Sequence, residues 1–343
     1  MASPLAKIGI ISIGDMGVGL AKLLIANGFA VATNGKGRSA DTVERAKNAN
    51  VELLPSDEAL TQSCSVILSV VPPRDAVATA QRIVDAVAGP VQRSSDAEPL
   101  YFADLNAVAP SSVKSIAALF GGRASSSVRF VDGCILGGPP SPKAEADPAI
   151  NFSSAATTGD GDGDDVAAAW NRPSIPTSGP HKLSDIPGFG GKLASTLNTR
   201  HISADVGAAS GLKMCFASFS KGFTSLAIQA FTTAHRLGVL GDLLGELQTV
   251  LGAHYALASK GVVGMAPKAY RWVGEMEEIA RTLAEEGGFA PDSFVGAAKV
   301  YRTVADDTVL GREKIGKRKR GTTVEDVAAA MVEGMQTKRK KDD

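Results

Sequence analysis

The chain has 343 residues, a length that suits two domains better than one. Hydrophobic residues make up 44% and charged residues 21%, enough for a substantial core and unlike a disordered protein. Lys+Arg and Asp+Glu are 36 each, so the net charge of zero gives no overall pull toward nucleic acid or an anionic membrane.

The longest apolar run, residues 8–31, is interrupted by Asp15, Lys22 and Asn27, short of the ~18 uncharged residues a membrane helix needs. The apolar start is strand-like Ile and Gly with no cleavage-type sequence behind it, so a soluble cytoplasmic protein is expected. Cys64, Cys134 and Cys215 have no paired spacing, which excludes a disulfide scaffold and a zinc ribbon; no metal is expected.

In chain order, the apolar runs at residues 8–12, 30–33, 66–71, 100–104 and 128–132 predict strands buried on both faces. Helices are predicted between them at 18–27, 40–49, 74–87 and 110–119. This alternation predicts a parallel sheet covered on both faces, an α/β Rossmann domain over residues 1–203. Residues 141–177, rich in Gly, Asp and Pro, read as an irregular insertion. The run Gly159-Asp160-Gly161-Asp162-Gly163-Asp164-Asp165 lacks the spaced ligands and closing Glu of a calcium loop. Helices at 207–236, 241–258, 267–286 and 292–305 predict an all-α domain over 204–310. Residues 311–343 read as a basic tail carrying Lys317-Arg318-Lys319-Arg320 and Lys338-Arg339-Lys340-Lys341. Such runs usually solubilise, with a nuclear-import signal or an RNA contact as the alternatives.

Ser12-Ile13-Gly14-Asp15-Met16-Gly17 falls between the first strand and the first helix and matches G-x-G-x-x-G except at Ser12. The second glycine, Gly14, admits a pyrophosphate to the backbone, Gly17 lets the helix approach the strand, and the helix start offers its N–H groups to the anion. At the end of the second strand an NAD site usually carries an acid for the ribose. Here Thr33-Asn34-Gly35-Lys36-Gly37-Arg38-Ser39 has none. Asn34, Arg38 and Ser39 therefore favour the 2′-phosphate of NADP over NAD. In such a sheet, ligands gather beyond the carboxyl ends of the strands, here Val71-Pro72-Pro73, Asp104-Leu105-Asn106 and Leu136-Gly137-Gly138.

Val70-Val71-Pro72-Pro73, Asp104-Leu105-Asn106-Ala107-Val108-Ala109-Pro110, Phe130-Val131-Asp132-Gly133 and Gly207-Ala208-Ala209-Ser210-Gly211-Leu212-Lys213-Met214 together resemble the β-hydroxyacid dehydrogenase superfamily. The likeness is to its 6-phosphogluconate dehydrogenase-like branch, whose helical domain is resembled by Pro267-Lys268-Ala269-Tyr270-Arg271-Trp272 and Glu275-Met276-Glu277-Glu278-Ile279-Ala280. The resemblance implies reversible hydride transfer at a hydroxyl-bearing carbon of a small substrate, with Lys213 as the catalytic lysine and a homodimer as the assembly. It also implies a substrate region at Asn106, Gly137, Gly138 and Lys213. The chain departs from the pattern at Leu136, where the family has serine, at Phe216, where it has asparagine, and at Asn106 and Ala107. A later helical lysine of the family falls near Glu275 and Met276. The cofactor half is intact and the acid-binding half rebuilt. An NADP-dependent dehydrogenase or reductase is expected, with imine reduction on the same scaffold and a non-catalytic NADP-binding regulator as alternatives.

Overall fold

The computed structural model describes residues 3–89, 98–121, 127–143, 169–314 and 317–342, and divides into two compact units, Met1–Lys213 and Met214–Asp343. The Gly/Asp run at 159–165 and most of the expected insertion lie outside the described residues.

In the first unit, strands β1 (Lys7–Ile11), β2 (Ala30–Asn34), β3 (Glu52–Leu54), β4 (Val66–Ser69), β5 (Leu100–Asp104) and β6 (Val128–Gly133) run parallel. They alternate with helices α1 (Asp15–Ala26), α2 (Ala40–Asn48), α3 (Asp57–Ser63), α4 (Pro73–Ala88) and α5 (Pro110–Leu119). A two-stranded ribbon pairs β7 (Ser141–Pro142) with β8 (Trp170–Asn171). Beyond it, β9 (Ile175–Ser178), α6 (Gly190–Leu197) and β10 (Thr199–Ser203) complete an eight-stranded sheet of order β10-β9-β6-β5-β4-β1-β2-β3. The β6–β9 contact is its antiparallel one.

Side chains alternate across this sheet, as a strand period of two requires. Ile8, Ile10, Leu68, Ala103 and Val131 pack on one face with Leu20 and Leu24 of α1 and Leu193 of α6. Ile67, Phe102 and Phe130 pack on the other with Ile83 of α4 and Val113 and Ile116 of α5. Every strand and helix expected before residue 133 is present. The short β3 and α3 were not anticipated, being too brief and polar for a periodic signal. The expected irregular stretch gives way to structure before 177, since β8 and most of β9 lie inside it.

Helix α7 (Ala208–Ala217) runs through a π-helical turn, Ser218–Gly222, into α8 (Phe223–Leu237). In the second unit α9 (Leu240–Val250), α10 (Gly252–Met265), α11 (Ala269–Glu285), α12 (Asp292–Arg302) and α13 (Val324–Asp342) follow. The helix expected over 241–258 is broken at Leu251.

The expected basic tail is corrected: residues 324–342 form α13, whose Val324, Val327, Ala328, Ala330 and Met331 are buried. Arg320 pairs with Asp326 and Glu333, and Arg318 donates to the Val263 carbonyl. The Lys317–Arg320 run thus owes part of its charge to the packing of its own domain. Among the described residues no helix is long and apolar enough to cross a membrane.

Candidate functional site

The turn from β1 to α1 is built around its glycines. A Cβ on Gly17 would lie 2.1 Å from the Ser12 carbonyl oxygen, so only glycine allows α1 to sit this close to the strand end. A Cβ on Gly14 would meet nothing nearer than Ser12 Oγ at 3.9 Å and would project into open space. That opening is where a pyrophosphate fits, in front of the N–H groups that begin α1 and have no partner within the helix. Gly14 is the N-cap of α1, buried Ile13 precedes it, Asp15 is exposed in the first turn, and Met16 is half-buried. Ser12, in the place of the first glycine, adopts φ 81, a conformation that glycine takes more readily. Arg45 of α2 donates from Nε to the Ile13 carbonyl at 3.1 Å and ties the turn down.

Beside this turn is a cavity of about 320 Å³ whose lining includes Ser12, Arg38, Val71, Pro72, Thr79 and Arg82. Its volume suits a nucleoside-sized group. Pro72 caps α4 and Pro73 begins it, where a missing N–H costs nothing. Arg38 is exposed at the rim, and Ser39 caps α2 by accepting from Thr42 N at 3.3 Å. Asn34 is turned inward: its Nδ2 donates to Asp57 Oδ1 at 2.7 Å and its Oδ1 accepts from Lys36 N at 2.9 Å.

Further along the carboxyl ends, Asn106 is 2% exposed and works as a staple. Its Oδ1 accepts from Val71 N at 2.7 Å, its Nδ2 donates to Ser69 Oγ at 3.0 Å, and its backbone N–H donates to Asp104 Oδ1 at 3.0 Å. The side chain therefore fixes the β4 end against the β5 end. Asp104 Oδ2 has no hydrogen-bond partner among the described residues. Burial pushes this carboxyl up to about 7, against the pull of the Asn106 bonds.

Asp132, next along at the end of β6, is a hub. Its Oδ2 accepts from Ser178 Oγ at 2.7 Å and Gly207 N at 2.8 Å, and its Oδ1 accepts from Ser210 Oγ at 2.7 Å. Ser178 Oγ in turn accepts from Ala209 N at 3.0 Å. A carboxylate is thereby seated at the start of α7, where unpaired N–H groups and the helix dipole favour it. Burial raises its pKa, opposed by these bonds from Ser178, Ser210 and Gly207. From this anchored start α7 carries Lys213, half-buried, with Nζ donating to the Ile135 carbonyl at 2.6 Å. Buried Cys134 lies alongside; desolvation lifts its thiol to about 12 although Lys213 pulls the other way. It is an inert thiol at neutral pH. Gly137, at φ 130, and Gly138 are exposed on the loop that follows Ile135.

The structure thus brings Ile13–Gly17, Arg38, Val71, Pro72 and Asn106 to the carboxyl ends of one sheet, with Gly137, Gly138 and Lys213 on the β6 side. Asn34 and Asn106 were expected to face a ligand, yet their side chains hold the fold. Asp57, Arg82 and Ser178 were not singled out by sequence, because none belongs to a spaced motif; Ser210 stands in the 207–214 run but was given no role there. The Glu275 position, where the family would place a lysine, holds a buried carboxylate paired with Lys221, whose Nζ lies 5.1 Å from the Trp272 ring centre. Among the described residues no cluster of His, Cys, Asp and Glu is suited to a metal ion.

Residues 7–91 match the family described as NADP oxidoreductase, coenzyme F420-dependent, and residues 234–304 match a domain of unknown function, DUF1932. No curated protein matches the sequence. Among solved structures, the conserved protein MTH1747 of unknown function, described as similar to 3-hydroxyacid dehydrogenases, is 24% identical. That alignment covers 88% of this chain and 97% of the other at a TM-score of 0.55. The 3-hydroxyisobutyrate dehydrogenase of Mycobacterium tuberculosis, solved with L-serine, is 16% identical over 96% of this chain and 98% of the other, at 0.59. Psf3, solved with NADP+ and 2-OPP, is 16% identical over 93% and 99%, at 0.55. At such identities the likeness establishes the fold.

Proposed function

The chain has the fold of the β-hydroxyacid dehydrogenase superfamily, and from that premise we propose that it is an NADP-dependent dehydrogenase or reductase of a small hydroxyacid or carbonyl compound. The observation that carries this is a shared placement at the carboxyl ends of one sheet. The open-faced Gly14 turn ends β1, and the Lys213 amino group is held by the loop that leaves β6. The match of residues 7–91 to an NADP oxidoreductase family and the NADP+ bound by Psf3 support the dinucleotide. In this reading residues 1–203 bind the cofactor, and 204–310 supply catalytic and dimerisation surfaces.

When bound, the nicotinamide supplies or accepts the hydride. The chain's own contribution is placement and proton handling. Gly14 and Gly17 admit the pyrophosphate, and Arg38 and Ser39 lie where a 2′-phosphate would be met. Lys213 Nζ, held at the Ile135 carbonyl, takes the hydroxyl proton as an alcohol is oxidised and returns it as a carbonyl is reduced. The apolar Leu136 in place of the family's serine argues for a substrate whose carboxylate is met elsewhere, or that has none.

Stopped-flow and steady-state assays of NADPH oxidation with aldehydes and ketones, and of NADP+ reduction with hydroxyacids, test the proposal. Lys213→Ala should lower turnover about 10²–10⁴-fold with NADPH affinity retained. Lys213→Arg should not rescue, since guanidinium keeps its proton at any working pH. A Lys213→Ala enzyme within a few-fold of the unaltered one would end the acid–base assignment.

A further inference from the structure

The cavity beside the Gly14 turn is lined by one partner of an ion pair that its expected cofactor contacts leave out. Arg82, from the third turn of α4, lines the cavity and is held by Asp57 from the first turn of α3. Nε donates to Asp57 Oδ2 and Nη2 to Asp57 Oδ1, both at 2.9 Å. The Asp57 side chain is 13% exposed and the Arg82 side chain 43%. Asp57 Oδ1 also accepts from Asn34 Nδ2, and Asn34 ends β2, where a ribose-binding acid would ordinarily stand. An acid is therefore within one side chain of that position after all, supplied by α3 and neutralised by Arg82.

We propose that the Asp57–Arg82 pair sets the choice between NADP and NAD, an inference that rests on the dinucleotide reading above. Two consequences follow from the geometry. The fork geometry of a guanidinium leaves N–H groups beyond those bonded to Asp57, and Arg82 lines the cavity they would serve. Arg82 is thus a second cation, with Arg38, for a 2′-phosphate. The same fork keeps the Asp57 carboxylate turned to Arg82 and Asn34, so that it neither repels a 2′-phosphate nor accepts from a 2′-hydroxyl. Without Arg82, the released carboxylate would do both, and the site would take on the character of an NAD site. A lysine in its place keeps the charge but loses the bidentate hold.

Binding measured by calorimetry and by nicotinamide fluorescence, on the full chain with NADPH and NADH in parallel, tests this without any substrate. Arg82→Ala should weaken NADPH roughly 10–100-fold, the scale of a lost charge-assisted contact, while NADH binding holds or tightens. Asp57→Asn should leave NADPH bound at least as tightly as before, because Arg82 is then released from its partner. Adding Asp57→Asn to Arg82→Ala should restore part of the lost NADPH affinity, since the freed acid is gone. Circular dichroism checks that each variant is folded, and Arg82→Lys provides a milder probe if Arg82→Ala is not; it too should shift the NADPH-to-NADH ratio downward. Equal loss of both cofactors, or an unchanged ratio in both Arg82 variants, overturns the proposal and leaves the dinucleotide reading intact. An unaltered protein that binds neither cofactor overturns both.

Discussion

At the scale of single residues, Ser12 and Asp104 make the clearest demands. Ser12 holds φ 81 in a turn whose sequence pattern has glycine at that place. A residue with a Cβ pays roughly 1–2 kcal/mol there, partly offset because glycine gives the unfolded chain more freedom. Ser12→Gly should therefore raise the melting temperature by about 1–3 °C in calorimetry; a fall would show that the serine hydroxyl holds the turn. Asp104 is fully buried, and its folded carboxyl titrates near 7 against an ordinary 3.8. Because the folded value is the higher one, its stabilising contribution is complete below the ordinary value. It is lost as pH rises toward 7, by up to about 4 kcal/mol. Asp104→Asn keeps an oxygen for the Asn106 N–H and removes the titration. Urea midpoints should show the variant gaining on the unaltered protein between pH 5 and pH 8; a constant difference would refute the linkage. Gly14 and Gly17 stood out because the spacing of such a turn is set by backbone geometry, Arg38 because no acid follows the second strand, and Lys213 through the family resemblance alone. Asp57 and Arg82 were not, because their partnership is made by tertiary approach across 25 residues of sequence.

At the scale of elements, the sequence rendered the front of the sheet well because its strands are continuous apolar runs between amphipathic helices. It rendered β9 and β10 poorly: one reads Ile-Pro-Thr-Ser and the other Thr-Arg-His-Ile-Ser, neither with a hydrophobic period. Yet β9 carries Ser178, and through it part of the seat of α7. Asp132 gathers Ser178, Gly207 and Ser210 about the first turn of that helix, and Lys213 sits farther along it. Asp132 is therefore a positioning residue whose effect should appear in turnover. Asp132→Asn keeps the shape but faces one donor with another amide hydrogen. It should lower kcat about tenfold or more and alter the pH dependence of turnover, with NADPH affinity little changed. Asp132→Ala should cost roughly 2–4 kcal/mol of stability as well, since buried donors lose their acceptor. An Asp132→Asn enzyme with an unaltered kcat and pH profile would reduce the hub to a structural cap.

At the scale of the whole molecule, the α/β arrangement followed by helices was readable from the switch in hydrophobic period, whereas the expectation of a homodimer came only from the family resemblance. The surface now adds a physical reason. Along α8, Leu226, Ala230, Thr233 and Leu237 recur at helical spacing and are all exposed, with Leu226 at 63% and Leu237 at 71%. Phe219, in the preceding π-turn, is 81% exposed, and Val250 at the end of α9 is 70% exposed. Scattered exposed leucines are ordinary, but an apolar stripe along one helix is the kind of surface that a partner covers. Sedimentation velocity at micromolar concentration should accordingly give a dimer. Because these side chains face outward, Leu226→Glu combined with Leu237→Glu should leave the monomer folded. Charges facing each other across a two-fold interface should raise the dissociation constant by more than about 100-fold, the equivalent of roughly 3 kcal/mol. The double variant should then sediment as a folded monomer with its circular dichroism spectrum unchanged. An unaltered protein that is already monomeric, or a double variant that remains as firmly dimeric, would show that this stripe is not where the chains meet.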